Sequence, residues 1–294
     1  MVPKALLIGN GLNRAVDSIS WSDILKEIQI QFEVEAVDNC TNYPLEFERT
    51  DLAVLGKEGL KTKQLQEFVA DRLTDIHNAP LIRRFMELPV DAVLTTNYDY
   101  NLELAIQPEF DYPNCKPMTR EWKHSLNRCI NVGNKHIWHI HGEKNQPRSI
   151  CIGYDQYCSH LSRLHECLTK PKAGFSEGPY LEHVLLQHDD PQPPWPVLFF
   201  THDIYIVGLR LSLMEIDLWW LLSYRRRLML QNPDLCIKNQ LHYLYCAGEC
   251  SDEELSLMES MGVELHPVQL IRKNWRRLYE TMLQEIEIKA FTKM

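Results

Sequence analysis

Short apolar runs that stop at glycine or at a polar cluster recur along the chain, and most are followed by residues at helical spacing. Lys4-Ala-Leu-Leu-Ile-Gly9 is the first, and it reads as a fully buried parallel strand. Asp91-Ala-Val-Leu-Thr-Thr-Asn97, Lys135 to Gly142, Ser149 to Gly153, Asp203 to Gly208, Leu241 to Cys246 and Val263 to Val268 read as further strands. Helical spacing runs from Ser22, a candidate N-cap, and over Thr62 to His77, where Leu65, Phe68, Val69, Leu73 and Ile76 form one stripe. It returns over Pro80 to Leu88, Tyr98 to Ile106, Tyr154 to Thr169, Met214 to Leu230, Asp252 to Met261 and Asn274 to Lys289. The stretch 20–88 between the first two strands is a helical insertion. Residues 170–196, with Pro191, Pro193, Pro194 and Pro196, read as a loop or flap, the most mobile segment and a gate by composition. Strands alternating with helices predict an α/β, Rossmann-like, doubly wound parallel sheet.

Composition narrows the function. At 294 residues, 45% hydrophobic and 24% charged, the chain is neither disordered nor fibrous. Its net charge of −9 argues against a nucleic-acid coat, so an anionic ligand has to be held by local devices. The longest apolar runs are interrupted by Arg210, Glu215 and Asp217, and neither a membrane span nor a signal peptide is expected. Nine cysteines with no Cys-x-x-Cys pair suit reduced thiols in a cytoplasmic protein.

In a doubly wound sheet ligands bind beyond the carboxyl ends of the strands. Four polar clusters fall there. Gly9-Asn10-Gly11-Leu12-Asn13-Arg14 allows a tight turn that brings backbone N–H groups toward a phosphate, although the third glycine of the dinucleotide fingerprint is replaced by Arg14. A plain strand-to-loop turn explains this cluster as well. Thr95-Thr96-Asn97-Tyr98-Asp99 offers an amide and a carboxylate, suited to a ribose and a carboxamide or to capping the next helix. His139 and His141 are expected on one side of their strand, with Gly142 permitting close approach to the backbone. They could be metal ligands, bases or satisfied polar residues. Gly208 to Asp217 is the fourth cluster.

These four segments, in this order, resemble the sirtuin (silent information regulator) family over residues 4–270, with the whole chain, 1–294, as one sirtuin-like domain. Gly9 to Arg14 resembles the opening glycine loop, Thr95 to Asp99 the Thr-Gln-Asn-Ile-Asp segment and His141-Gly142 the catalytic His-Gly pair. Gly208 to Asp217 resembles the Gly-x-Ser-Leu segment near the adenosine ribose. The two Cys-x-x-Cys pairs of protein-deacylating sirtuins are missing, although Cys151, Cys158 and Cys167 fall in about the right region. The Asp-Phe-Arg part of the glycine loop is missing too. Both departures point to the sirtuin-like NAD hydrolases of bacterial antiphage systems.

The resemblance implies cleavage of the nicotinamide N-glycosidic bond of NAD+, with no zinc and no cofactor beyond NAD+ as substrate. Asn97 and His141 would be catalytic, with Asn97 bonding the ribose or placing the water and His141 acting as general base. Gly9, Asn10, Gly11, Leu12 and Arg14 would hold the pyrophosphate, Asp99 the carboxamide side, and Ser212 and Asp217 the adenosine ribose, with Thr96 and Gly208 beside them; Asp217 could equally cap the helix Met214 to Leu230. His139 is expected to pack. It also implies a homo-oligomer and a HerA-type ATPase partner. A deacylase or a non-catalytic nucleotide-binding scaffold subunit are the alternatives. Trp219-Trp220 marks a buried helix face, read as an interface, with Arg225 to Arg227 at its solvent edge.

Overall fold

The computed structural model describes residues 2–15, 21–35, 42–57, 59, 61–77, 79–112, 125–171, 179–187 and 193–291. One sheet contains β1 (Lys4–Ile8), β2 (Ala92–Thr95), β3 (Ile130–Val132), β4 (Lys135–His139), β5 (Asp203–Val207), β6 (Leu241–Cys246) and β7 (Val263–Val268). Its order is β3-β4-β2-β1-β5-β6-β7. Every adjacent pair is parallel except β3 and β4. The chain builds outward from β1 through β2 to β4, then crosses to β5 on the other side of β1. That reversal opens a crevice beyond the ends of β1 and β5. The fold is therefore the α/β Rossmann-like class that the alternation of patterns predicts.

The helices are α1 (Gly11–Arg14), α2 (Trp21–Gln31), α3 (Tyr43–Leu55), α4 (Thr62–Arg72), α5 (Pro80–Met86), α6 (Asn101–Ile106), α7 (Tyr154–Thr169), α8 (Tyr180–Gln187), α9 (Leu198–Thr201), α10 (Ile216–Gln231), α11 (Asp252–Ser260) and α12 (Trp275–Ile286). Local chemistry sets several boundaries. Pro80 opens α5 at a position where its missing N–H costs nothing. Ser251 and Glu254 exchange side-chain and backbone hydrogen bonds in a capping box that starts α11. Among the described residues, no helix is long and apolar enough to cross a membrane.

Strand alternation distributes the core. Ala5 and Leu7 of β1 join Trp138, Leu164, Leu221 and Tyr243 on the α7–α10 face. Leu6 and Ile8 join Ile82, Phe85, Leu102 and Leu283 on the α5, α6 and α12 face. The helices between β1 and β2 carry a third cluster, in which Ile24, Ile28, Phe47, Leu65 and Val69 pack with Tyr98, Ile150 and Ile152. That cluster seats α2, α3 and α4 over the loops that follow β2 and β4.

Several local expectations are corrected. Residues 149–153 form no strand. Pro147–Ser149 is a 3-10 turn, and Ile150 and Ile152 are apolar because they pack under the inserted helices. β3, absent from the sequence reading, pairs antiparallel with β4. Within 170–196 the described residues are not loop alone. Tyr180–Gln187 is helical, Trp195–Val197 is a 3-10 turn, and Tyr180, Leu181 and Trp195 are buried. Residues 172–178 and 188–192 of that flap lie outside the described residues. Arg225 does not mark a solvent edge. It is 2% exposed and donates to the carbonyls of Phe199 and Asn239. Trp220 is half-buried and stacks on Tyr224, with ring centroids 5.2 Å apart.

The β1 and β5 ends are in backbone contact. Gly9 N–H donates to Val207 O, and Gly11 N–H donates to Gly208 O at 2.7 Å. A Cβ on Gly9 would meet Gly208 O and Leu209 Cα, each at 2.5 Å. Gly9→Ala is accordingly expected to destabilise the fold by ~2–4 kcal/mol, because both obstacles are main chain and cannot rotate away. Thermal melting checks this, and an unchanged melting temperature would contradict the close approach.

Candidate active site

A cavity of about 840 Å³ opens beyond the ends of β1, β2, β5 and β6. From the sheet side it is lined by Asn10, Gly11, Arg14, Thr96, Asn97, Asp99, His141, Gly208, Ser212 and Glu215. Ser22, Ile24, Leu25, Tyr43 and Pro44 of the inserted helices roof it, and Trp275 and Tyr279 of α12 close one side. Its size suits a ligand of cofactor dimensions.

Asn97 follows β2 by two residues. Its backbone is fixed from two directions. Thr95 Oγ1 accepts its N–H at 3.1 Å, and its carbonyl accepts from His139 Nδ1 at 2.7 Å. The side chain is the reverse case: the residue is only 5% exposed, yet neither Oδ1 nor Nδ2 has a hydrogen-bond partner. Buried amides left without partners are costly, so an unpartnered donor–acceptor pair on a residue that lines a cavity is a feature of ligand sites.

His139 does more than pack. Its Nε2 lies 2.8 Å from Glu103 Oε1 on α6 while Nδ1 holds Asn97. Burial opposes its charge, but Glu103, Glu143 and the Asn97 carbonyl together outweigh it and bring the imidazole up to about 9. Both ring nitrogens therefore carry protons and both donate. His139 and His141 do not work as a same-side pair. β4 ends at His139, and the partners of His141 lie on α10.

His141 Nε2 lies 2.9 Å from Asp217 Oδ2. His160 Nδ1, from α7, lies 3.0 Å from the same oxygen. Burial raises the Asp217 carboxyl, but His141 and then His160 overcome it and hold the group well below the usual carboxylate range. An ionised Asp217 fixes the His141 tautomer with the proton on Nε2. Burial pushes His141 down, Asp217 and then Glu215 push it up, and the net shift is upward.

Glu215 Oε2 stands 3.9 Å from His141 Nδ1 and 3.3 Å from the Tyr157 hydroxyl, which donates to it. Burial raises Glu215 to about 7. His141 and Tyr157 pull it down, and Asp217 pushes it further up. A carboxylate at the cavity wall, poised near neutrality, is a competent proton acceptor.

Other expected ligand contacts are partly redirected. Leu12 is fully buried, and its N–H is directed at Gly9 O at 3.3 Å. With the Gly9 and Gly11 amides also donated to the β5 side, the three N–H groups assigned to a pyrophosphate are engaged within the protein. Asp217 cannot hold a ribose, because it is 0% exposed and bonded to His141. Asp99 lines the cavity, but its oxygens accept from Asn13 Nδ2 at 2.8 Å and Asn101 N–H at 3.1 Å. Burial raises its carboxyl to about 6. Asn10 Oδ1 accepts from Asn13 Nδ2 at 3.1 Å, and the Arg14 guanidinium lies over the Trp275 ring, 5.1 Å from its centroid. Thr96, Gly208 and Ser212 line the cavity. Close approach at Gly142 serves the chain itself: with φ +98, its would-be Cβ meets Ser149 O.

Sequence reasoning missed Glu215, His160, Tyr157 and Asn13. Glu215 carried a signal, since a carboxylate two residues before Asp217 at the mouth of an apolar helix places two acids at one helix start. Residues 91–185 match the SIR2-like domain family. The matched stretch is about a third of the chain, running from β2 into α8, and supports a sirtuin-like relationship there. It contains Asn97, His139, His141, Tyr157 and His160, whereas the Gly9 and Glu215–Asp217 segments that complete the cavity lie outside it. No curated protein matches the chain.

Proposed function

We propose that the protein is an NAD+ glycohydrolase that breaks the bond between nicotinamide and ribose and releases ADP-ribose. The observation that carries this reading is the unpartnered amide of Asn97, sharing one cavity with the Asp217-held imidazole of His141 and the neutral-range carboxyl of Glu215.

The reaction needs a water oxygen to bond to the ribose C1′ as the C1′–N1 bond breaks. The bonding pair passes to the pyridinium nitrogen, and the water proton must leave. Asn97, with one donor and one acceptor, orients the sugar or the water. Glu215 accepts the proton, with His141 relaying or sharing it. Charge develops on the sugar as a cation, and the carboxylates of Glu215 and Asp217 favour it electrostatically. Arg14, held over the Trp275 ring, offers a cation in the same cavity for a phosphate. By the resemblance, NAD+ depletion in antiphage defence, a homo-oligomer and a HerA-type ATPase partner belong to the same proposal.

The test is incubation of the purified protein with NAD+, alone and with candidate partners, following nicotinamide by chromatography. Nicotinamide with free ADP-ribose supports the reading. NAD+ that raises the melting temperature and returns unchanged makes the protein a binding module. O-acetyl-ADP-ribose from an acetylated peptide makes it a deacylase.

Glu215→Gln supplies a pH test. The wild-type rate is expected to rise as pH passes through about 7, because the ionised carboxylate is the acceptor. The variant should lose that limb and ~100-fold of the rate. Stability should move the other way. A carboxyl raised in the folded state contributes stability below its ordinary pKa and loses it as pH climbs through about 7. Gln removes that loss, so at pH 8 the variant should be the more stable by ~1–3 kcal/mol. The difference should vanish near pH 4. A variant less stable at pH 8 would refute the role of burial at this carboxyl.

A further inference from the structure

On the opposite side of the β6–β7 ladder from the α7–α10 core, three side chains that the proposed reaction does not use converge. His242 pairs across the ladder with Glu264, and His266 is two residues along β7. The two-residue period puts all three on the face covered by α12. His242 Nδ1 is 2.7 Å from Glu264 Oε2, His266 Nε2 is 3.6 Å from the same oxygen, and the two ring nitrogens are 3.2 Å apart. Both imidazoles are largely buried, whereas the Glu264 side chain is 57% exposed.

These three atoms make a triangle with sides close to those of one face of a metal coordination tetrahedron. Nitrogen and oxygen ligands at ~2.0–2.2 Å from a zinc-sized ion lie roughly 3.3 Å from one another. Hydrogen bonding alone satisfies the triangle poorly. Lys289 Nζ lies 3.1 Å from His266 Nδ1, and an ammonium can only donate, so a neutral His266 carries its proton on Nε2. That proton points at His242 Nδ1. If His242 Nδ1 accepts it, an imidazole lone pair faces the Glu264 carboxylate at 2.7 Å. If His242 Nδ1 is protonated to serve Glu264, two N–H groups face each other. A cation at the centre removes the conflict, because all three atoms then present lone pairs to it. The Tyr205 ring stacks on His242 at a centroid distance of 4.5 Å and holds it in place.

We propose that His242, Glu264 and His266 form a binding site for a divalent transition-metal ion of the zinc class, joining edge strand β7 to β6 and leaving one coordination position open to solvent. Two imidazoles and one carboxylate favour Zn2+, Co2+ or Fe2+ over the oxygen-preferring Mg2+ and Ca2+. Lys289 competes with the ion: metal-bound His266 needs its second nitrogen protonated, so the ammonium has to move away.

The experiment titrates metal-free full-length protein with Co2+ and Zn2+, reading the Co2+ visible spectrum, bound metal by elemental analysis and the melting temperature. One equivalent is expected, with the d–d bands of a tetrahedral nitrogen and oxygen field and no sulfur charge-transfer band. Glu264→Gln, at an exposed side chain that the fold does not need, should weaken binding at least ~10-fold, and His266→Ala at least ~100-fold. Lys289→Ala should tighten it. Three results each overturn the proposal: unchanged binding in Glu264→Gln and His266→Ala, a thiolate band that places the ion on cysteines, or binding lost only in His160→Ala, which would move the ion to the His141–His160–Asp217 cluster. Nicotinamide release is not a readout here, so the proposal stands or falls apart from the reaction assigned to the main cavity.

Discussion

Asn97→Ala is expected to cut nicotinamide release by ~1,000-fold while leaving the melting temperature unchanged or higher. The rate follows from position. Loss of one pre-aimed polar group at a reacting centre removes ~100- to ~1,000-fold, and misplacing the sugar adds to it. The stability follows from an absence. In the described structure the side-chain oxygen and nitrogen make no hydrogen bond, so truncation breaks none. It instead removes two buried polar atoms, each worth ~1–3 kcal/mol of cost when unsatisfied. The backbone hydrogen bonds to Thr95 and His139 do not involve the side chain and survive. A structural asparagine would behave oppositely, losing stability and activity together. Rate assays and thermal melting of the same preparation separate the two. Near-wild-type turnover in this variant removes the central residue of the proposed mechanism. A melting shift on adding NAD+ that shrinks in the variant would tie the amide to the ligand directly.

His139 gives the matching control. It touches Asn97 only through the backbone carbonyl, so it is a positioning residue. Its buried ion pair with Glu103 also makes it structural, and its removal should lower stability as well as rate.

Much of this arrangement was legible because buried parallel strands announce themselves. β1, β2, β5 and β6 are mostly apolar, buried runs of four to six residues ending in polar or glycine-rich clusters, whereas β7, at the sheet edge, alternates buried and polar positions. Their ends had to carry any ligand site, and Asn97 and His141 do share a cavity there. β3 was missed because three residues are too few to show a period. The turn after it, Gly133-Asn134, was the readable signal, since a two-residue glycine-containing loop marks a hairpin. Residues 149–153 misled for the opposite reason. Periodicity reports burial, and Ile150 and Ile152 are buried by the inserted helices and not by a sheet. The glycine loop misled by chemistry. Its glycines are required for β1–β5 contact, which uses up the same N–H groups that a phosphate would need. No local pattern separates those two demands on a backbone amide.

Asp217 shows where local reading fails most clearly, and it carries the second large expectation. By sequence it is either a ribose contact beside Ser212 or a cap on its own helix. In the structure it is fully buried and reaches His141, 76 positions away, and His160 on a third element. Asp217→Ala is expected to destabilise the protein by ~3–5 kcal/mol, the usual result of removing one partner of a buried charge pair. Asp217→Asn keeps the shape and loses the charge. It should retain more stability yet still lose on the order of 100-fold in rate, because a neutral amide no longer dictates which nitrogen of His141 carries the proton. The pH dependence has a defined sign. The Asp217 pKa is lowered in the folded state, so its contribution is present above the ordinary carboxylate pKa and is lost as pH falls through the lowered value. His141 is raised, so its contribution is present below the ordinary imidazole pKa and is lost as pH rises through the raised value. The wild type should therefore gain stability over Asp217→Asn most strongly between those limits, and the gap should close toward both extremes. Melting curves across pH, with rates measured alongside, check this. If Asp217→Asn turns over NAD+ at the wild-type rate, His141 needs no orienting carboxylate, and the buried triad is a packing feature unconnected to the chemistry of the cavity.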